Sequence, residues 1–290
     1  MPSAIIDGIS TRYDVVGEGP PLLMFSPGGF DATLEKWTTL GVYGKTKMFE
    51  QLSRHYRCIV FDRRETGQSG GRIERVTWND YVAQGKGLLE HLGIEQAHLM
   101  GGCMGCSPVI AFGVAHPQAT LSMVLYWPVG GAKYRINGHL RFAQHLAFVQ
   151  QEGLAAVVAL AKSSGKSFGE DPRGGPWAAV IRSDAAFADA YAKHDVEHYK
   201  LAVTGMVRTL LDRDTAPGAE PEDLLRLKIP ALVVPGRDAS HATSAARYLE
   251  ECLPLAEYWD AAPAEQTEAT APARLLEFLA RVSAAPLAKA

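Results

Sequence analysis

The residues best suited to chemistry are the five in Gly101-Gly102-Cys103-Met104-Gly105. They follow the apolar run 97–100 and precede the helix-like segment 108–116. A reactive residue between glycines at a sharp strand-to-helix turn is typical of a nucleophile elbow, because small neighbours let the backbone hold the central side chain in a strained conformation. The helix that follows directs backbone N–H groups at any negative charge formed there. We therefore predict that Cys103 is a nucleophile; the alternative is a buried cysteine on a glycine-rich turn.

A second small-residue loop follows an apolar strand at 22–25 and contains Gly28, Gly29 and Phe30. In an open α/β sheet, the active-site crevice lies just outside the carboxyl ends of the strands. Backbone N–H groups of this loop could therefore supply one half of an oxyanion hole, and the N–H of Met104 the other half. The alternative is an ordinary strand-to-helix turn.

Composition and charge argue against several kinds of partner and of protein. The 290 residues are 47% hydrophobic, and their formal net charge is −3 at pH 7. This balance argues against nucleic acid or a membrane surface as a general partner. No apolar run approaches the roughly 20 residues of a membrane span, no signal peptide is evident, and four cysteines do not make a disulfide scaffold. We expect a cytoplasmic protein that acts on a small-molecule substrate, with a homodimer left open.

The order of the segments resembles the α/β-hydrolase fold superfamily. A strand, the loop at 26–30, a strand at 58–61, an Asp-Arg-Arg-x-x-Gly-x-Ser loop at 62–70, a helix and the elbow follow one another as they do in that superfamily. The resemblance covers about 4–127 and 228–282. It implies an α/β fold with a mostly parallel central sheet flanked by helices. We predict a core of 1–127 and 228–290, interrupted by a helical lid or cap at 128–227.

The predicted lid contains helical segments at 139–151, 153–162, 184–193 and 196–212. Its first part is rich in basic and titratable residues, among them Arg135 and Arg141. Arginine suits carboxylates well, so these two residues are candidates for receiving an anionic group of a substrate. The alternative is a solvated basic helix face.

The resemblance assigns the acid of a catalytic triad to Asp238, on the loop after the apolar strand 229–234. It also places a catalytic histidine beyond the last strand, where this sequence has none: the window 260–268 lacks histidine, and no histidine follows His241. Two residues are candidates for the missing base, His241 on the same loop as Asp238, and Glu265. The third option is that no group replaces it.

A cysteine tolerates this loss better than a serine would. Its unperturbed pKa of about 8.5 falls at a helix N-terminus, so thiolate exists near neutral pH without a base. We predict a hydrolase acting through Cys103 on an activated ester, lactone, thioester or C–C bond substrate. Two alternatives stay open: a ligand-binding, lyase or isomerase protein without covalent turnover, and a redox-responsive protein using Cys103 and Cys106. The sequence contains no nucleotide-binding fingerprint in context and no metal-ligand spacing, so no cofactor or metal is predicted.

Overall fold

The structure, a computed structural model, describes residues 1–284. Its eight-stranded sheet has the order β1-β2-β4-β3-β5-β6-β7-β8. The first two strands pair antiparallel with their neighbours, and every later pairing is parallel. The strands are β1 (Ser3–Ile6), β2 (Ile9–Val16), β3 (Pro21–Phe25), β4 (Arg57–Phe61), β5 (Ala97–Gly102), β6 (Thr120–Tyr126), β7 (Ala231–Val234) and β8 (Ala256–Tyr258).

Helices cover both faces of the sheet. Within the described residues they are α1 (Lys36–Thr39), α2 (Gly41–Thr46), α3 (Met48–Leu52), α4 (Trp78–His91), α5 (Cys106–Ala115), α6 (Ala132–Ser164), α7 (Ala178–Ser183), α8 (Ala185–Ala192), α9 (Val196–Leu210), α10 (Pro221–Leu224), α11 (Thr243–Cys252) and α12 (Thr270–Ala284). None of these helices is both long and apolar enough to cross a lipid bilayer.

The central strands are buried on both faces, which explains their continuous apolar runs. Strands β5 and β7 are buried along their whole length. One hydrophobic cluster joins the sheet to α4, α5 and the inserted helices, and a second joins it to α1–α3 and α12. Parallel strands thereby present their carboxyl ends at one edge, where the loops after β3, β4, β5 and β7 meet.

Thr77 and Asp80 cap the start of α4. The backbone N–H of Thr77 donates to the Asp80 carboxylate at 2.7 Å, and the Thr77 hydroxyl donates to the same oxygen. These bonds satisfy polar groups that the first turn of a helix leaves unpaired. The helix then ends at His91.

Helices α6–α10 lie between β6 and β7, within the predicted insertion at 128–227. Helix α6 begins at Ala132, seven residues before the predicted start, and breaks at Gly153, whose φ of 77° is non-helical. The sequence interpretation placed a boundary between two helices at this point. A buried chain of hydrogen bonds joins the inserted helices: His145 Nε2 lies 2.6 Å from the Tyr199 hydroxyl, which accepts from Tyr191 at 2.5 Å.

Candidate active site

The predicted elbow is formed by β5, a single tight turn at Cys103–Gly105, and α5. Cys103 has a φ of 54°, in the left-handed region that non-glycine residues rarely adopt. A Cβ on Gly101 would overlap the Gly105 carbonyl, and one on Gly105 would overlap the Phe25 carbonyl. The flanking glycines are therefore needed for the backbone to turn back this closely on itself and hold Cys103 at the sheet edge.

Two of the four residues predicted for an oxyanion hole lie near enough to act on the sulfur of Cys103. They are Gly28 and Met104, whose backbone N–H groups both lower the pKa of the thiol. The other two have different contacts. The carbonyl of Gly29 accepts a hydrogen bond from Arg63, and the ring of Phe30 packs edge-on against the insertion.

His241 lies beside Cys103, although it is on the loop of the predicted acid. Its Nδ1 lies 2.9 Å from both carboxylate oxygens of Asp238. Its other ring nitrogen, Nε2, is buried and has no hydrogen-bond partner among residues 1–284. The imidazole and the Cys103 thiol lie close enough for each to shift the pKa of the other. Because Nδ1 is taken up by Asp238, Nε2 is the nitrogen available to the thiol.

Three neighbours fix the position of His241. The Asp238 carboxylate accepts the backbone N–H of His241 at 3.0 Å, which closes the loop into a tight turn. Gly236 leaves room for the imidazole, since a Cβ there would lie 2.5 Å from the Cβ of His241. The centroid of the Trp127 ring lies 5.6 Å from that of the imidazole. The backbone of Trp127 has a φ of 57°, in the left-handed region.

These contacts change the ionisation of the thiol and the imidazole together. Burial raises the pKa of the Cys103 thiol, but the neighbouring His241 and the two backbone N–H groups outweigh burial, so its pKa lies below the ordinary value. Burial lowers the pKa of His241, but Cys103 and Asp238 more than offset this and raise it to about 9. The site therefore favours a thiolate–imidazolium pair.

The loop after β8, where the resemblance places a histidine, carries a fully buried Gln266. Its Oε1 accepts from the Tyr126 hydroxyl and from Trp127 Nε1, both at 2.7 Å. Its Nε2 donates to the carbonyls of Pro235 and Ala261. Gln266 is thus fully hydrogen-bonded and supports Trp127, which in turn contacts His241.

The remaining predicted residues have other contacts or are exposed. The exposed carboxylate of Glu265 accepts the backbone N–H of Ala262 at 2.6 Å, so it closes its own turn. Arg135 forms an ion pair with Asp214 at 2.9 Å, and Arg141 is exposed.

The two cysteines of the Cys-x-x-Cys sequence are both free. The Cys106 thiol donates to the Gly101 carbonyl at 3.1 Å, and burial raises its pKa well above the ordinary value. A thiol held protonated in this way is a poor partner for disulfide exchange. Within residues 1–284, no three His, Cys, Asp or Glu side chains are grouped so as to hold a metal ion.

Sequence reasoning did not identify Arg63, Trp127, Tyr134 or Gln266 as site residues. Position alone could have indicated the first two. Arg63 lies two residues after the end of β4, and Trp127 directly follows β6, so both lie at the edge where the crevice is expected. Tyr134 and Gln266 carry no such signal, because long-range packing brings them to the site.

Relatives match this chain in sequence over about half of its length, whereas solved structures match it over nearly the whole length. A family model described as alpha/beta hydrolase fold matches residues 21–132. An acetyltransferase component of the acetoin cleaving system from Cupriavidus necator is 30% identical over 127 residues, which are 44% of this chain and 32% of that protein. A 2-hydroxy-6-oxo-6-phenylhexa-2,4-dienoate hydrolase from Comamonas testosteroni is 28% identical over 152 residues, 51% of this chain and 47% of that protein. The matches thus span a third to a half of these relatives' lengths.

The structural similarity covers almost the whole chain. An enol-lactonase from Burkholderia xenovorans LB400 superposes with a TM-score of 0.61 at 21% identity, covering 96% of this chain and 100% of that one. A thermophilic esterase from Thermogutta terrifontis gives a TM-score of 0.60 at 20% identity, covering 97% and 98%. Together with the mostly parallel eight-stranded sheet, these matches confirm the predicted fold class: the chain has the α/β-hydrolase fold.

Proposed function

We propose that the protein is a hydrolase in which Cys103 is the nucleophile, His241 the general base and acid, and Asp238 the group that orients His241. The N–H groups of Gly28 and Met104 form the oxyanion hole. One observation carries this proposal: the thiol of a strained elbow cysteine is coupled to an imidazole whose Nδ1 is held by a carboxylate at 2.9 Å.

The arrangement supplies each part of covalent hydrolysis. The thiolate attacks the substrate carbonyl carbon and forms a C–S bond, while the two N–H groups stabilise the negative oxygen. Protonated His241 then gives its proton to the leaving group as the bond to that group breaks. Neutral His241 next takes a proton from water, which attacks the thioester carbonyl, and Cys103 leaves as thiolate while His241 is protonated again.

The presence of His241 on the loop of Asp238 widens the range of leaving groups that a substrate can carry. Without an acid for the leaving group and a base for deacylation, the sequence alone favours substrates with good leaving groups. With His241 as base, deacylation has a catalyst, so this restriction is relaxed. Lactones, enol esters and C–C bonds next to a carbonyl remain the first choices to test, because one relative is named as a dienoate hydrolase and a structural neighbour as an enol-lactonase.

The inserted helices act in this proposal as a lid. The rings of Phe142 and Phe168, both from the insertion, pack 5.2 and 5.4 Å from the ring of Phe30 on the oxyanion loop. Aromatic contacts of this kind cover the site with apolar surface, which excludes water and strengthens the electrostatic interactions inside.

Turnover of p-nitrophenyl acetate tests the proposal. We expect the wild type to hydrolyse this ester and Cys103→Ala to lose at least about a hundredfold in kcat/KM, since the covalent route is gone. Cys106→Ala is the matched control and should keep its activity, because that thiol faces the backbone. Equal rates for the wild type and Cys103→Ala would contradict the proposal.

A further inference from the structure

Arg63 is a buried guanidinium placed beneath the candidate oxyanion hole. It is 1% exposed. Its Nη2 donates to the carbonyl of Gly29 and lies 3.9 Å from the sulfur of Met104, and its guanidinium carbon lies 4.5 Å from the centroid of the Tyr81 ring. Arg63 thus contacts Gly29 and Met104, one residue in each loop of the candidate oxyanion hole.

This guanidinium forms no ion pair with an acidic side chain among residues 1–284. The charged residues next to it in the chain form ion pairs with other partners. The Asp62 carboxylate pairs with Arg12, and Arg64 pairs with Glu65 and Glu74. Two of its nitrogens, Nε and Nη1, are buried with no hydrogen-bond partner in the described chain. An uncompensated buried charge is strongly unfavourable, so its presence indicates a ligand of opposite charge more than a contribution to stability.

Tyr134 adds a second unpartnered polar group near the same place. Its side chain extends from the start of α6 into the core, and its hydroxyl is buried without a partner among residues 1–284. Burial and the Cys103 charge raise the pKa of Tyr134, while Arg63 and Arg141 lower it, so this hydroxyl lies within electrostatic range of both the nucleophile and the guanidinium. Elsewhere in the insertion, the buried hydroxyls of Tyr191 and Tyr199 are hydrogen-bonded to each other.

We propose that Arg63 and Tyr134 bind a carboxylate of the substrate beside Cys103. The inference deepens the proposed function and rests on it: the substrate is an ester, lactone or ketone that carries a carboxylate close to the carbonyl attacked by the thiolate. A guanidinium and a phenol hydroxyl are both hydrogen-bond donors, which is what a carboxylate requires. The anion site thus lies mainly in the core, whereas Arg135 of the insertion is already paired with Asp214.

A pair of substrates that differ only in charge tests this site. Mono-p-nitrophenyl glutarate carries a carboxylate, and its methyl ester is the neutral match. We expect the wild type to prefer the anionic ester by about tenfold in kcat/KM, the size of a charge-assisted hydrogen bond. Arg63→Met should abolish that preference, and Arg208→Met, at an exposed position on α9, should keep it. Equal rates for the two esters in the wild type would overturn the inference.

The folded state of the variants can be checked independently. Because the charge of Arg63 is uncompensated, Arg63→Met should unfold at the wild-type temperature or above it. If that variant does not fold, Tyr134→Phe removes one hydroxyl only and should reduce the preference for the anionic ester about threefold. An unchanged preference in a folded Tyr134→Phe would remove Tyr134 from the site, and an unchanged preference in a folded Arg63→Met would overturn the inference.

A binding measurement separates this inference from the proposed function. In Cys103→Ala, which cannot form an acyl-enzyme, butyrate should raise the unfolding temperature and its neutral match butyramide should not. Adding Arg63→Met should remove the butyrate effect. If the wild type hydrolyses nothing but butyrate still stabilises through Arg63, the carboxylate site stands and the hydrolase proposal fails. If both esters are hydrolysed equally and butyrate has no effect, the hydrolase proposal stands and the carboxylate site is overturned.

Discussion

His241 Nδ1 lies 2.9 Å from both carboxylate oxygens of Asp238, three residues earlier on the same loop. An acid and a base that share one short loop hold each other in place without a second strand or helix. The backbone N–H groups of Ser240 and His241 also donate to Asp238 Oδ1, so the carboxylate shapes the loop as well as orienting the ring. In the proposed mechanism, one short local motif thus takes the roles that the resemblance assigns to two separate loops.

Replacing the proposed base should stop turnover more completely than replacing the acid. We expect His241→Gln to lower kcat/KM for p-nitrophenyl acetate by about a hundredfold or more, within the range of general acid–base catalysis. Asp238→Asn should cost about tenfold, because the Asp238 side chain is half exposed and water can partly replace its charge. Glu265→Gln is the control and should keep wild-type activity. A loss with Glu265→Gln equal to that of His241→Gln would reassign the base.

The ionisation of Cys103 should be visible in its alkylation. Because His241 and two backbone N–H groups lower the pKa of the thiol, iodoacetamide should label Cys103 rapidly near neutral pH. His241→Gln should move the labelling profile to higher pH, since the largest stabilising contact of the thiolate is removed. Labelling is followed by mass spectrometry of the Cys103 peptide, and the half-buried Cys252, whose pKa is raised, is an internal control. An identical profile for the two proteins would show that the ring does not act on the sulfur.

Activity and stability should both decline above about pH 9. The pKa of His241 is raised to about 9 from 6.5 in the unfolded chain, so its contribution to stability is fully present below pH 6.5 and is lost as pH rises through about 9. The contribution is on the order of 3 kcal/mol. Urea unfolding at several pH values should show the wild type losing its advantage over His241→Gln across this window. A constant difference between the two proteins up to pH 10 would contradict the raised pKa.

Gln266 should act on catalysis through Trp127 and His241. Gln266→Met leaves the Tyr126 hydroxyl and Trp127 Nε1 unpaired, which should cost about 1–3 kcal/mol of unfolding free energy. A purely structural role would change stability alone. A positioning role should also shift the alkaline limb of the kcat/KM profile, because Trp127 no longer holds the imidazole against the thiol and the carboxylate. The exposed Gln144→Met is the control for stability and for the pH profile.

Most of the fold could be predicted from local sequence. The central strands are buried on both faces and therefore read as uninterrupted apolar runs, and Gly153 marks the break in α6 because its φ is positive. The elbow could also be located from local sequence, because its glycines are needed for close backbone contacts. Helices α1–α3, of four to six residues, are too short to leave a periodic pattern and were not predicted.

The candidate site was harder to predict wherever it depends on distant contacts. The spacing of Asp238 and His241 gave a base candidate but could not choose between His241 and Glu265, because the choice depends on which side chain faces the elbow. Arg135 was selected for its charge, which Asp214 neutralises. The position of Arg63 after β4 indicates the crevice edge, but local sequence does not indicate that its guanidinium is buried without an ion-pair partner.

The most direct test of the account is time-resolved mass spectrometry of the intact protein after mixing with p-nitrophenyl acetate. We predict an acetyl adduct on Cys103 that forms within the first turnovers and disappears as the ester is consumed. The same adduct should accumulate and persist in His241→Gln, because water then lacks its base. A wild type that hydrolyses the ester with no adduct on Cys103 at any time, or that clears the adduct as slowly as His241→Gln, would contradict the Cys103–His241–Asp238 account.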